Sequence, residues 1–139
     1  MRQFGTPIAG ARVRPGAYAF VYDEQRGLAV VRSGGPAHLP GGGIEDGEDE
    51  LTAVVREVSE ETGLTVQPLD RLGVVQQAID HLNKVSHYVT CRILAEGGPH
   101  EPDHELDWMP WRHAMRTLHL GADRWAVRTW AEGRGYPLD

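Results

Sequence analysis

Residues 42–64 read GGIEDGEDELTAVVREVSEETGL, and the spacing of apolar residues within this stretch predicts an α-helix. The apolar positions follow the pattern i, i+3, i+4 and i+7, which forms one face of a helix: Leu51, Val54, Val55 and Val58. Gly63 stands where a left-handed residue commonly ends a helix. The stretch therefore predicts a glycine-rich loop followed by a helix over residues 48–62.

Three glutamates project from a different face of this predicted helix. Glu57, Glu60 and Glu61 are spaced at i, i+3 and i+4, so their side chains are neighbours. Like charges at this spacing repel one another, and the negative end of the helix dipole adds to the cost. A solvated acidic surface is the ordinary explanation of such a cluster. Hard divalent cations offset both costs, because carboxylate oxygens are their natural ligands, and a metal site is the alternative.

The segments around this helix have the patterns of strands and of two further helices. The predicted strands cover residues 17–22, 28–32, 65–77, 85–94 and 105–111, and Pro68 interrupts the third. Loops are predicted over residues 33–47 and 95–104, and helices over residues 112–118 and 123–131. Strands before and after a central helix, with helices at the end, predict an α/β sandwich around a mixed sheet.

Length, charge and cysteine content limit the kind of protein. The 139 residues fit one compact domain over residues 1–139, and the net charge of −6 argues against a broad nucleic-acid surface. No apolar stretch approaches the roughly 18 residues that cross a bilayer, and no export signal is present. Cys91 is the only cysteine, and its strand context predicts a buried side chain instead of a catalytic thiol. We therefore expect a cytoplasmic protein without a membrane partner.

The spacing of residues 42–64 resembles that of a known family. The stretch fits G-x5-E-x7-R-E-U-x-E-E-x-G-U, where U is a bulky aliphatic residue, at every specified position. This pattern is the Nudix box, and the Leu39-Pro40-Gly41 segment before it is similar to the usual lead-in of the family. The resemblance implies a Nudix-type α/β/α sandwich around a mixed β-sheet. It also implies an enzyme that hydrolyses a phosphoanhydride bond with Mg²⁺, for which Mn²⁺ is a substitute.

The resemblance assigns roles to the residues of the box. It implies that Glu57 and Glu61 are the main metal ligands, joined by Glu60 and by the carbonyl oxygen of Gly42. It implies that Arg56 orients a catalytic glutamate. Glu48 would help to order the loop and the helix.

The general base is left open between the box and a later loop. Within the box, Glu60 is the candidate. Residues 101–108 read EPDHELDW, and Glu105 with Trp108 resembles a glutamate–tryptophan pair of the family. The candidates on this loop are therefore Glu101, Asp103, Glu105 and Asp107. Of these, Glu105 is predicted to be a further metal ligand or the base, against the alternative of a plain acidic loop.

Three residues near the box are predicted to bind substrate. Arg32, Arg14 and His38 flank or lie on strands next to the glycine-rich loop, and arginine suits phosphate through its planar fork. The alternative for each is an ordinary surface or packing residue.

The substrate class is the point on which the sequence says least. A nucleoside triphosphate, as for MutT-like members, is the leading prediction, because the family's markers for ADP-ribose and for diadenosine polyphosphates are missing after the box. Pyrophosphate removal from an RNA 5′ end is one alternative, and a nucleotide-sensing domain without catalysis is another. The small-molecule nucleotide is thus the expected partner. Family members are often dimers, so a homodimer is a further expectation, although no interface is visible in the sequence.

Overall fold

A computed structural model describes residues 2–138 as a mixed β-sheet with helices on both faces. The strands are β1 (Arg2–Phe4), β2 (Val13–Asp23), β3 (Gly27–Arg32), β4 (Ala37–His38), β5 (Gly41–Gly43), β6 (Thr65–Ile79), β7 (Leu82–Ala95) and β8 (Glu105–Met109). The helices are α1 (Glu50–Thr62), α2 (Trp111–Thr117) and α3 (Gly121–Gly133).

The sheet combines parallel and antiparallel pairs in the order β1-β6-β7-β2-β3-β4. Strands β2 and β7 run parallel, with Arg14 opposite Lys84 and Tyr18 opposite Tyr88. Off this main path, β5 pairs antiparallel with β2, and β8 pairs antiparallel with β3. The parallel pairing of β2 with β7 brings residues about 70 positions apart in sequence side by side.

Each face of the sheet is covered by its own apolar cluster. On one face, α1 places Val54 and Val58 against small and branched residues of the sheet such as Ala19 and Val89. On the other face, α2 and α3 pack aromatic and aliphatic side chains against β2, β3 and β7, with Trp130 near the centre. Because successive strand residues point to opposite faces, one strand serves both clusters. The predicted α/β/α sandwich around a mixed sheet is confirmed.

The predicted elements are found, but several of their ends differ. Strands β2 and β7 begin earlier than predicted, at Val13 and Leu82, and α3 begins at Gly121. The strand predicted over residues 105–111 ends at Met109, because Pro110 is the N-cap of α2.

Helix α1 begins at Glu50 because the side chain of Asp49 accepts a hydrogen bond from the Thr52 amide, which places the N-cap at residue 49. Its end agrees with the prediction, since Gly63 is left-handed with a φ of 74°.

Strand β6 continues past Pro68, where a β-bulge shifts the register and accommodates a residue that has no amide hydrogen. The loop predicted over residues 33–47 contains the short strands β4 and β5, and the N-terminal strand β1 has no counterpart in the prediction. In residues 2–138, no helix is both long enough and apolar enough to cross a membrane.

Candidate metal centre and substrate pocket

The glycine-rich strand β5 is held against the sheet at the position where the box helix ends. Gly41 pairs with Tyr18 and Gly42 with Ala17 on β2. Gly41 has a φ of 152°, and a Cβ atom there would lie 2.2 Å from the carbonyl oxygen of Ala17, so only glycine fits. A Cβ atom on Gly42 would lie 2.7 Å from Cδ of Glu57. The backbone of β5 therefore lies directly against a carboxylate of the box.

Two carboxylates of the helix converge on this strand and are shielded from water. Only 15% of the Glu57 side chain and 14% of the Glu61 side chain are exposed. The Gly41 amide donates a 2.8 Å hydrogen bond to Oε1 of Glu61. Burial raises the pKa of Glu61 to about 7, against the lowering effect of that hydrogen bond, and burial also raises the pKa of Glu57. Both carboxylates are thus placed where a positive charge would stabilise their ionised forms.

Arg56 connects the box helix to the loop before it. Its Nε and Nη2 atoms donate to the two carboxylate oxygens of Glu48 at 2.8 and 2.9 Å, and Nη2 also donates to the Gly43 carbonyl at 3.0 Å. Its Nη1 atom donates to Oε1 of Glu57 at 3.0 Å and lies 3.3 Å from Glu60. The hydrogen bond from Arg56 lowers the pKa of Glu48. One guanidinium group therefore contacts both the loop and the carboxylate of Glu57, and the role of Arg56 in orienting a catalytic glutamate stays a prediction.

The loop before β8 contacts the end of the box helix through residues other than Glu105. The Glu101 amide donates to the Glu60 carbonyl at 2.7 Å, and Nε2 of His104 lies 3.5 Å from Oε2 of Glu61. Glu101 and Asp103 with His104 form a group whose potential ligand atoms lie within 4.8 Å of one another. This segment faces the box and encloses one side of the carboxylate cluster.

Glu105 and Arg32 are placed away from that cluster. Glu105 lies on β8, opposite Arg32 of β3 in the antiparallel register, and is exposed. The Nε atom of Arg32 is 3.6 Å from Asp107. These two predicted site residues thus pair across strands, and the structure does not bring them together with Glu57 and Glu61. Glu60 remains beside Arg56, with 46% of its side chain exposed.

A pocket of about 260 Å³ opens beside Gly42 and Gly43 and contains the predicted residue Arg14. Lys84 lines the same pocket, and its Nζ atom lies 4.6 Å from the ring centre of Tyr18. Burial lowers the pKa of Lys84. Two cationic side chains and a tyrosine ring next to the carboxylate cluster form a pocket suited to a phosphorylated ligand. A larger cavity of about 750 Å³ lies at the C-terminal end of α3, and its lining includes no residue of the box.

The predicted residue His38 is not among the residues that line this pocket, and it lies near the buried carboxylate of Asp123. Its ring centre is 5.4 Å from that of His119, and burial lowers its pKa. Asp123, which is 1% exposed, accepts hydrogen bonds from the Tyr88 hydroxyl at 2.7 Å and the Leu39 amide at 3.1 Å. The negative charge of Asp123 acts on both His38 and Lys84. Sequence reasoning missed Lys84, Asp123 and His104. Each of them reaches the site through contacts with residues that are distant in the sequence.

The fold and the carboxylate cluster define the class of protein: the chain belongs to the Nudix hydrolase family, whose NUDIX domain model matches residues 12–130. The chain is 37% identical over 93 residues to an 8-oxo-(d)GTP phosphatase of Mycolicibacterium smegmatis. The aligned residues cover 65% of this chain and 28% of that protein. It is 56% identical over 35 residues to an RNA pyrophosphohydrolase of Dinoroseobacter shibae, covering 25% of this chain and 22% of that protein. These matches span less than a third of the relatives' own lengths.

The fold is similar to that of a solved Nudix hydrolase from Nitrosomonas europaea. The two structures superpose with a TM-score of 0.78 at 18% sequence identity, over 92% of this chain and 95% of the other. At this identity the likeness concerns the fold alone.

Proposed function

We propose that this chain is a pyrophosphohydrolase that requires a divalent cation, Mg²⁺ first, and acts on a nucleoside diphosphate linked to another group. A nucleoside triphosphate is the leading substrate class. The observation that carries the proposal is the convergence of two carboxylates on strand β5, beside a pocket lined by Arg14 and Lys84: Glu57 lies against Gly42, and Glu61 accepts a hydrogen bond from the Gly41 amide. The 8-oxo-(d)GTP phosphatase among its relatives supports the triphosphate class.

The donor groups at this site fit a hard divalent cation. Glu57, Glu61 and Glu60 would hold it through carboxylate oxygens, and Gly42 would add its carbonyl oxygen. The fit is supported by the raised pKa of Glu57 and of Glu61, because burial destabilises their ionised forms until a cation is bound. When bound, Mg²⁺ would neutralise phosphate oxygens and lower the pKa of the attacking water.

The residues of the chain would orient this chemistry and take up a proton. Arg56 would keep Glu57 in position, and the Gly41 amide would do the same for Glu61. Glu60 is exposed beside the cluster and is the proposed general base of the box. Among the later acidic residues, the position of Glu101 against the end of α1 makes it a stronger candidate than Glu105.

The pocket beside Gly42 would recognise the substrate through charge and stacking. Arg14 and Lys84 would bind phosphate oxygens, and the ring of Tyr18 would contact the base or sugar. His38 is proposed as a further substrate-binding residue, and its position near Lys84, which lines the pocket, supports this. The proposal for Arg32 is weaker, because its guanidinium is beside Asp107.

RNA 5′-end hydrolysis is the second candidate, and one observation favours it. The chain is 56% identical to an RNA pyrophosphohydrolase over 35 residues, whereas its identity to the 8-oxo-(d)GTP phosphatase is 37% over 93 residues. The 35-residue match covers only 25% of the chain. The substrate panel below separates the two candidates directly.

The test is turnover of a substrate panel, followed by chromatography of the products with Mg²⁺ and with EDTA. The panel contains nucleoside triphosphates, nucleotide sugars, ADP-ribose, dinucleoside polyphosphates and triphosphorylated RNA. We expect Mg²⁺-dependent hydrolysis of a triphosphate that is lost in Glu61→Gln and kept in Glu132→Gln, which changes an exposed glutamate at the far end of α3. Absence of turnover across the panel, in a folded protein that still binds nucleotide, would instead support the sensing domain.

A further inference from the structure

A third pocket, of about 380 Å³, lies between α3 and the edge strand β1. We call it the arginine pocket, and its lining includes Arg2, Phe4, Gly121, Arg124, Trp125 and Arg128. On α3, Gly121, Arg124, Trp125 and Arg128 follow the spacing i, i+3, i+4 and i+7, so they share one helix face. On β1, Arg2 and Phe4 are two residues apart and point to the same face of the sheet.

The arginine pocket concentrates positive charge without a compensating carboxylate. Within residues 2–138, no ion pair involves Arg2, Arg124 or Arg128. Asp123 is adjacent in sequence, but its carboxylate is turned into the core, where it accepts hydrogen bonds from Tyr88 and from the Leu39 amide. Among residues 2–138, no carboxylate lines the arginine pocket, although the chain has 20 acidic residues against 14 basic ones.

The guanidinium of Arg124 is oriented before any ligand arrives. Its Nη1 atom donates to the Leu118 carbonyl at 2.6 Å and to the His119 carbonyl at 2.9 Å. These bonds occupy one nitrogen and leave the remaining donors of the guanidinium available to a ligand. Arg128 is exposed and lies one turn further along α3, where the like charge of Arg124 is unfavourable at i, i+4 spacing. A bound anion would remove this repulsion.

Aromatic side chains complete the arginine pocket. Phe4 and Trp125 line it, and the guanidinium carbon of Arg2 lies 5.3 Å from the ring centre of Phe4. Planar rings beside arginines can stack with a base while the guanidinium groups bind phosphate. From these contacts we propose that the arginine pocket binds a phosphate group carried by a nucleotide.

This site is separate from the pocket beside the box. The two pockets share no lining residue, and strands β6 and β7 lie between β1 and β2 in the sheet. The phosphate bound here is therefore not the one that would be hydrolysed. It belongs either to a second free nucleotide or to a later nucleotide of an oligonucleotide whose 5′ end occupies the first pocket.

The test is equilibrium binding by calorimetry in EDTA, which needs no turnover and is therefore independent of the proposed function. The probes are inorganic phosphate, AMP and a 5′-phosphorylated trinucleotide. We expect AMP binding to weaken about tenfold in Arg128→Gln and in Arg2→Gln, the loss expected for one charge-assisted hydrogen bond. Arg134→Gln is the matched control, because Arg134 is an exposed arginine just past the other end of α3 and lies outside the arginine pocket.

A second variant tests the aromatic contribution. Phe4→Leu keeps an apolar side chain but removes the ring, so it should reduce the preference for AMP over inorganic phosphate and leave phosphate binding unchanged. A trinucleotide that binds more tightly than AMP, with that gain lost in Arg128→Gln, would identify an oligonucleotide as the source. Equal affinities would identify a free nucleotide.

The proposal is overturned if AMP binding is unchanged in Arg128→Gln and Arg2→Gln. It is equally overturned if Arg134→Gln weakens binding as much, since this would indicate a general effect of charge. Loss of all AMP binding in Lys84→Met alone would place the nucleotide in the pocket beside the box instead.

Discussion

A side chain at Gly42 should impair activity, because it would collide with the carboxylate of Glu57. A Cβ atom at Gly42 would lie 2.7 Å from Cδ and Oε1 of Glu57 and 2.8 Å from its Oε2. Gly42 is not among the glycines with a positive φ, so alanine introduces no left-handed strain at this position. Gly42→Ala is therefore a steric probe of the Glu57 carboxylate.

The expected loss of activity follows from how far that carboxylate must move. It would have to retreat by roughly 0.8 Å to reach the ~3.5 Å separation of ordinary contact. Arg56 holds Oε1 of Glu57 at 3.0 Å, and pairing with β2 fixes the glycine, so the displacement disturbs the ligand position. A misplacement of about an ångström costs on the order of 10²-fold in rate, or about 2.7 kcal/mol of transition-state stabilisation. Stability should change little, because the end of a side chain can move more easily than backbone.

The assay compares kcat/KM with Mg²⁺ and urea unfolding for Gly42→Ala and Gly43→Ala. The second variant is a close control, since a Cβ atom on Gly43 meets only Arg14, at 3.9 and 4.0 Å. We expect activity to fall only in Gly42→Ala, with a higher Mg²⁺ concentration needed for half-maximal rate. Wild-type activity in Gly42→Ala, or an equal loss in both variants, would refute the role given to this contact.

Three further predictions follow from the same structure. Without a bound metal ion, burial raises the pKa of the Glu61 carboxyl from 4.5 to about 7 in the folded protein. The folded state then binds a proton that the unfolded state has lost, so in EDTA the free energy of unfolding should fall as the pH rises from 4.5 to 7. Thermal unfolding across this pH range should show the decline, and Glu61→Gln should flatten it. Arg56→Lys keeps the positive charge, but a lysine cannot donate to both carboxylate oxygens of Glu48 as Arg56 does. We therefore expect kcat, measured by product chromatography, to fall about 10- to 100-fold. An unchanged kcat would contradict the positioning role of Arg56. Gly73→Ala should lower the free energy of unfolding, measured in urea, by about 1–3 kcal/mol, because a Cβ atom there would lie 2.6 Å from the Trp125 ring. Adding Trp125→Phe to the same chain should recover part of this loss.

Local patterns in the sequence were sufficient to predict most of the elements and the box cluster. The i, i+3, i+4, i+7 spacing predicted α1, and the left-handed Gly63 ends it as expected. The carboxylates of Glu57 and Glu61 meet because both lie on the same helix, one turn apart. Features that depend only on the spacing of residues within one segment could therefore be predicted from the sequence.

Features that depend on pairing between distant segments could not be predicted. Lys84 reaches the pocket only because β7 runs parallel to β2 and places it opposite Arg14. Asp123 is 84 residues from Leu39, to whose amide it is hydrogen-bonded. Glu105 was predicted from its spacing before Trp108, and the register that places it opposite Arg32 of β3 could not be read from that spacing. Strand register is set by side-chain packing across the whole sheet, and a motif does not report it.

The last turn of α1 carries negative charge that the helix itself does not fully balance. The last turn of α1 has no basic residue, and Glu61 stands there with its carboxylate buried, so both the helix dipole and burial oppose its charge. Arg56 relieves the repulsion only in part, because its shortest bonds go to Glu48 and its bond to Glu57 is longer. The arginine thus secures the supporting glutamate most strongly and leaves the ligand carboxylates under-compensated. A cation bound between Glu57 and Glu61 would complete the charge balance, and the folded chain would gain stability from binding it.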